Sequence, residues 1–223
     1  MKQKVYWEQR MKDLTESENK ILKELNRVYK RAYSKLELAL SDIYIQMMED
    51  GAVSPANLYK YDRYTTLQKA LTDLANDMGK EEQMTISSWL EELYRSEFQQ
   101  YAEFMGDKTF YNVYPQQVEA AVKTNWSGEH FSERVWNNKK LLVQQLDKII
   151  LDGIALGVSR KELNKMMLKK FNTVYYCADR IVRTESMFIY NRAHYDYYSK
   201  AGIRQYEFLA EIDSRTSVKC KDH

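Results

Sequence analysis

The residues with the strongest potential for chemistry lie in one charged segment, RIVRTE, which runs from Arg180 to Glu185. Apolar residues recur around it at helical spacing, at Ala178, Ile181, Phe188 and Tyr195. On a helical wheel, Glu185 and Arg192 fall within about 40° of Ile181. The spacing therefore predicts charges on the apolar stripe of a helix.

This charged stripe has two interpretations. A buried charge is costly unless it is paired, so we expect Glu185 to face Arg192, two turns away, or Arg134 from another helix. A catalytic carboxylate held by an arginine is the alternative, but no nucleophile or second carboxylate is near it in sequence. We therefore predict no catalytic residue, and a structural polar network made of Arg180, Arg183, Glu185, Asn191 and Arg192.

Other signatures of chemistry are weak. The sequence has no glycine-rich phosphate loop, HExxH, GxSxG or CxxC motif, so we predict a protein that is not an enzyme and has no cofactor. The spacing Cys220-x-x-His223, with Asp213 or Asp222, could contribute to a zinc site. A structural zinc site needs four ligands, so a free thiol and a tail histidine are the favoured interpretation and no metal site is predicted.

The charges are unevenly distributed along the chain. Residues 1–35 hold ten Lys/Arg and five Asp/Glu, residues 37–107 hold five and fourteen, and residues 159–204 hold ten and four. A nucleic acid or an acidic protein could bind either basic segment, whereas solvated helix faces are the simpler interpretation. The candidate DNA- or partner-binding residues are Lys20, Lys23, Arg27, Lys30 and Arg31.

Composition favours long helices. Only 7 Gly and 2 Pro occur in 223 residues, which argues against an all-β or doubly wound fold. No long apolar run is present, and the start MKQKVYWEQR has no signal-peptide core. We expect a soluble protein made in the cytosol, without a membrane span.

The first half predicts a helical hairpin. Apolar residues recur at three- and four-residue steps from Val5 to Met47, which indicates one helix of roughly 60 Å. A helix of this length exceeds a compact core, so part of it is expected to project or to pair with a partner. The segment from Asp50 to Pro55 ends it, and a second helical stretch runs from Tyr64 to Phe104.

The second half predicts shorter helices and one strand. Pro115 should begin a short helix, Ser132 should cap a helix to about Gly153, and Ser159 should cap one to Phe171. A further helix is expected from about Val174 to Ala201. Alternating residues from Tyr206 to Ile212 predict a strand.

The predicted fold is mainly α. A long helical hairpin occupies residues 1–112, and a helical domain occupies residues 113–203. Residues 204–223 begin a small α/β element, which we expect to be incomplete because the strand has no partner strand in the sequence.

Several elements of the second half resemble the phage head morphogenesis family, the minor head proteins similar to phage Mu protein F. These elements are Trp126-Ser-Gly, FSERVW from Phe131 to Trp136, the Gly157-Val-Ser helix start, RIVRTE with Asn191 and Ala193, Gly202-Ile203, and Asp213-Ser-Arg-Thr-Ser-Val-Lys-Cys220. Their order and spacing match over roughly residues 113–223. Ser217 stands where many members carry cysteine, and members usually continue into a small α/β domain beyond this point.

The resemblance implies a virion component rather than an established enzyme. Such a protein would be made in the host cytoplasm, join the capsid near the portal vertex during head assembly, and take part in DNA packaging or ejection. The implied partners are the portal protein, the major capsid or scaffold protein, and packaged double-stranded DNA. The hairpin of residues 1–112 is the candidate docking element.

Two alternatives remain open at this point. One is a DNA-binding protein of the head interior, which would use the basic segments. The other is a metal-dependent nuclease or toxin-like activity completed by a missing C-terminal segment, with Asp213, Cys220 and His223 at its start.

Overall fold

A computed structural model describes residues 2–106 and 112–205, and side chains are described from residue 5. The helices are α1 (Lys2–Glu49), α2 (Pro55–Tyr59), α3 (Arg63–Phe104), α4 (Pro115–Val122), α5 (Phe131–Ala155) and α6 (Arg160–Lys200), with a 3₁₀ turn at Lys60–Asp62. The prediction of a mainly α fold is confirmed. The predicted strand from Tyr206 to Ile212 and the residues Asp213, Cys220 and His223 lie outside the described residues.

The four long helices pack as an antiparallel bundle. The start of α1 lies against the end of α3, where the rings of Trp7 and Tyr101 are 5.4 Å apart. The start of α1 also lies against the end of α6, where the rings of Trp7 and His194 are 5.3 Å apart. α5 contacts α3 and α6 on the opposite side of the bundle. Successive long helices therefore alternate in direction.

The apolar stripe of α1 is covered within the chain. Leu25 and Met47 are fully buried, and Leu14 and Leu36 are almost so. The expectation that part of this helix projects or pairs with a partner is therefore wrong for the stripe from Leu14 to Met47. α3 and α6 are 42 and 41 residues long, so they can cover nearly the whole of a 48-residue helix.

The hydrophobic core runs through both halves of the sequence. Leu25 of α1 and Leu90 of α3 belong to the same cluster as Leu142 of α5 and Val182 of α6. Helix α3 packs against α5 and α6 as well as against α1. The division at residues 112 and 113 stays a prediction, and the core residues continue across it.

Most predicted helix ends agree with the structure. Ser159 caps α6 by accepting a hydrogen bond from the Glu162 backbone N–H, at 3.2 Å. α5 begins earlier than predicted, because the Nδ1 atom of His130, rather than Ser132, caps its first turn. The predicted break between Phe171 and Val174 is wrong, because the helix continues without interruption from Arg160 to Lys200.

Candidate functional site

Glu185 lies at the centre of a small polar cluster between α5, α6 and the loop before α5. Its side chain is buried, and its Oε1 accepts a hydrogen bond from Arg134 Nη2. Its Oε2 accepts one from Trp126 Nε1 at 3.1 Å, and the Trp126 ring stacks on Phe188 with centroids 5.0 Å apart. The expected pairing of Glu185 with Arg134 is confirmed.

The alternative pairing of Glu185 with Arg192 is not found. Arg192 Nε donates to both carboxylate oxygens of Asp196 at 3.0 Å. Arg192 is seven residues from Glu185, which places it about 10 Å along the helix, whereas Asp196 is one turn away. The nearer carboxylate therefore binds the guanidinium.

The other three residues of the predicted network do not bond to Glu185. Arg180 is exposed, and Asn191 donates to the Met187 carbonyl at 2.9 Å. Arg183 donates to Asp179 at 2.7 Å and to Glu18 of α1 at 3.0 Å. The five residues therefore form separate contacts along α6 and not one network.

A second polar cluster, which the sequence analysis missed, lies in the middle of the bundle. Lys139 Nζ of α5 lies 2.5 Å from Glu82 Oε2 of α3 and donates to the Tyr29 hydroxyl of α1 at 2.6 Å. Tyr29 in turn donates to Glu82 at 2.7 Å, and its hydroxyl lies 3.4 Å from the Val174 carbonyl of α6. All four long helices meet at this point.

Burial controls the protonation of this central cluster. Lys139 is 1% exposed and Glu82 is fully buried. Burial lowers the pKa of Lys139, and the nearby Glu82 charge opposes that shift. Burial and the Glu82 charge raise the pKa of Tyr29 well above its usual value, so the phenol stays protonated as a donor.

A third cluster joins the start of α1 to the ends of α3 and α6. Arg10 bonds to Glu97 and lies 3.1 Å from Asp13, and His194 Nε2 lies 3.5 Å from Glu97 Oε2. The ring of Tyr190 packs against His194 with centroids 4.4 Å apart. Arg10, Glu97 and His194 are all buried.

A sequence signal for these missed residues existed. Glu82 lies four residues from both Met78 and Ile86, which are buried. Lys139 lies four residues after the buried Val135 and three before Leu142. Each charge therefore occupies a position where helical spacing calls for an apolar residue, as Glu185 does.

The predicted basic residues of α1 are at the surface. Lys20, Lys23, Arg27, Lys30 and Arg31 are all exposed. Arg31 forms an exposed ion pair with Glu81 of α3. The other four are thus free to meet a ligand from solvent.

Grooves are present on the described part of the bundle surface. One, of about 490 Å³, is lined by Tyr44, Ile45, Met48, Glu49 and Arg160. Another, of about 330 Å³, lies between α1 and α3 beside Arg10 and Glu97. Within residues 2–106 and 112–205, no group of His, Cys, Asp and Glu side chains could hold a metal ion. The helices in these ranges are too short or too polar to cross a membrane.

Comparison of the chain with protein families, with curated proteins and with solved structures finds no match in any of the three. The likeness to phage head morphogenesis proteins stays a prediction from the sequence. It depends on the motifs quoted above and on the contacts that their residues make with one another in the fold.

Proposed function

We propose that this chain is a structural minor head protein of a tailed bacteriophage, which joins the capsid near the portal vertex during head assembly. The observation that carries the proposal is the convergence of three motif elements. Trp126 of the Trp-Ser-Gly element and Arg134 of FSERVW both bond to Glu185 of RIVRTE. These elements are more than 50 residues from Glu185 in sequence, so the motifs act together as one packing unit.

The use of the buried charges supports a structural role rather than catalysis. Glu82 pairs with Lys139, Glu97 with Arg10, and Glu18 with Arg183, each between two different helices. Polar groups inside a core restrict which helices can pack together and in what register. A bundle with fixed register about 60 Å long suits a component that bridges other subunits.

The last turns of α1 are the proposed contact with the portal protein. Leu38, Ile45 and Met48 are exposed, at 67%, 54% and 60%, and follow each other at seven- and three-residue steps. This spacing places them on one side of the helix. They narrow the docking candidate from the hairpin of residues 1–112 to this exposed side of α1. The major capsid or scaffold protein is the further candidate partner.

The proposal is tested by purifying procapsids that contain the tagged full-length chain. We expect the chain to co-purify with the portal protein. The double variant Ile45→Asp/Met48→Asp should reduce its incorporation severalfold, because two exposed apolar contacts are replaced by charges. Met84→Asp is the matched control, since Met84 is 69% exposed on α3.

Two results would count against the role. The first is a chain found only free in the host cytosol. The second is that the Met84→Asp control and the α1 variant lose incorporation equally while both melt like the parent. In that case the exposed side of α1 would not be the contact with the portal protein.

A further inference from the structure

The fold brings the two basic segments of the sequence together. On α1 the exposed basic residues are Lys12, Lys20, Lys23, Arg27, Lys30, Arg31 and Lys35. On α6 they include Lys161, Lys165, Lys169, Arg180 and Arg183. On a helical wheel each of these two sets occupies one side of its helix, and we call the two sets the α1 row and the α6 row.

Direct contacts place the α6 row beside α1. Arg183, a member of that row, lies 3.0 Å from Glu18 of α1. Tyr175 donates to the Leu22 carbonyl at 3.0 Å, and Asn164 donates to Glu37 at 2.6 Å. Because α1 and α6 are adjacent and antiparallel along this length, the α6 row lies next to the outer side of α1 that carries the α1 row. That row continues toward α3, where Arg31 pairs with Glu81 and Lys20 lies in the groove between α1 and α3.

Most of these cations remain unneutralised. Arg31 pairs with Glu81, Lys165 with Glu162, and Arg183 with Asp179 and Glu18. Among the described residues, no carboxylate lies within ion-pair distance of Lys20, Lys23, Arg27, Lys30, Lys161, Lys169 or Arg180. Exposed Glu16 and Glu24 lie within the same arc of α1, and the cations of the two rows outnumber them, so the net potential of the surface is positive.

We infer that the surface formed by the α1 and α6 rows binds the phosphate backbone of duplex DNA. The α1 row spans about 35 Å from Lys12 to Lys35 at the standard helical rise. This span is close to one helical turn of B-DNA, about 34–36 Å. Adjacent packed helices have axes about 8–10 Å apart, comparable to a major groove about 12 Å wide, so the two rows can reach phosphates on both strands.

The same geometry predicts binding without sequence preference. Both helices pack along the bundle, so neither is free to enter a groove and reach base edges. Single strands are bound mainly through stacking on several aromatic rings, whereas the α6 row has the exposed ring of Tyr176 among five cations. DNA binding goes beyond the docking role proposed above. It depends on the basic side chains of α1 and α6 and not on contact with the portal protein.

The experiment measures binding of the purified full-length chain to fluorescent duplexes of about 30 base pairs and unrelated sequence. We expect both duplexes to bind equally at about 50 mM salt and to weaken steeply by about 200 mM. The variant Lys23→Glu/Arg27→Glu/Lys30→Glu and the variant Lys161→Glu/Lys169→Glu/Arg180→Glu should each lose about tenfold or more in affinity. Each should also reduce the slope of log affinity against log salt by about 1 per lost phosphate contact.

The matched control is Lys69→Glu/Lys80→Glu/Lys140→Glu, which changes the net charge equally at exposed positions of α3 and α5. It should bind nearly as well as the parent. The inference is overturned if duplex DNA does not bind at low salt, or if the control loses as much affinity as the row variants. It is also overturned if single-stranded DNA, or an acidic polypeptide such as polyglutamate, binds the surface more tightly than the duplex. Failure here leaves the portal test unaffected, since that test contains no DNA measurement.

Discussion

Lys139 and Glu82 form an ion pair in the middle of the bundle, with Nζ and Oε2 2.5 Å apart and a separation of 57 positions in sequence. Neither side chain has appreciable contact with solvent. The Tyr29 hydroxyl bonds to both groups, so helices α1, α3 and α5 are joined at one level. A shift of one helix along the bundle would separate these charges. The pair therefore fixes the register of the helices relative to one another.

The first prediction is that removing one member of this pair is much worse than replacing both. Lys139→Ala leaves Glu82 buried without its cation and should cost about 3–5 kcal/mol of unfolding free energy. The double variant Glu82→Leu/Lys139→Met leaves the Tyr29 hydroxyl with the 3.4 Å contact to the Val174 carbonyl, so it should cost about 1–3 kcal/mol or less. Urea denaturation measures both, and Lys140→Ala, an exposed neighbour, should change the free energy by less than about 0.5 kcal/mol. Additive losses in Glu82→Leu, Lys139→Met and the double variant would show that the pair is not coupled.

The second prediction concerns Glu185. Glu185→Ala removes the partner of Arg134 and of the Trp126 indole, and should cost about 1–3 kcal/mol. The cost should be below that of Lys139→Ala, because the Arg134 side chain is 25% exposed and can bind water. Glu185→Gln keeps the acceptor oxygen and should lose less. Chemical denaturation followed by tryptophan fluorescence measures the difference. A Glu185→Ala protein that melts with the parent but no longer supports head assembly would make Glu185 a functional residue.

The third prediction tests the close contact of α3 with α5 at Gly79. A Cβ added there would lie 2.7 Å from Cζ3 of Trp136, whose indole N–H is fixed by a 2.7 Å hydrogen bond to Gln83. Gly79→Ala would normally stabilise a helix, but here the overpacking should destabilise by about 1–3 kcal/mol. Combining Gly79→Ala with Trp136→Leu should cost less than the sum of the two single variants. Thermal melts provide the comparison, and a stabilised Gly79→Ala protein would contradict the packing.

The fourth prediction is a loss of stability at alkaline pH. Burial raises the pKa of several tyrosines above the usual value of 10.0, among them Tyr29, Tyr94, Tyr101 and Tyr190. Below pH 10 these phenols are protonated in both the folded and the unfolded state, so their full contribution to folding stability is present. As pH rises above 10 the unfolded chain loses protons first, and stability falls.

Lys139 has the opposite effect on the pH dependence of stability, and it acts over a lower pH range. Its lowered pKa means that the unfolded chain binds the proton more tightly, so this group favours folding more as pH approaches 10.5. The urea concentration at half-unfolding, measured from about pH 8 to about pH 11, should therefore decrease mainly above pH 10. Tyrosinate absorbance should rise together with unfolding, and Tyr29→Phe should reduce the pH dependence. Free titration of all tyrosines in the folded protein would contradict the burial of these rings.

Local sequence patterns predicted the helices well. The spacing of apolar residues predicted α1 and α3, and Gly51 ends α1 with a φ of +105°, a conformation that favours glycine. Ser159 and Pro115 marked the starts of α6 and α4 correctly. These features depend on neighbouring residues only, so they can be read along the chain. The same reading broke α6 near Asn172 and Thr173, where local propensity is weak but tertiary packing sustains the helix.

The sequence by itself determined that the protein is mainly helical, that α1 has one apolar stripe and that its charges form basic and acidic blocks. Only the tertiary structure decided what covers that stripe and which distant charges meet. It buried Leu25 against the rest of the bundle, paired Lys139 with Glu82, and put the basic side of α6 next to α1. Helical periodicity fixes the direction in which a side chain points around its own helix, but not the neighbouring helix it meets. That choice depends on how all the long helices share a single core.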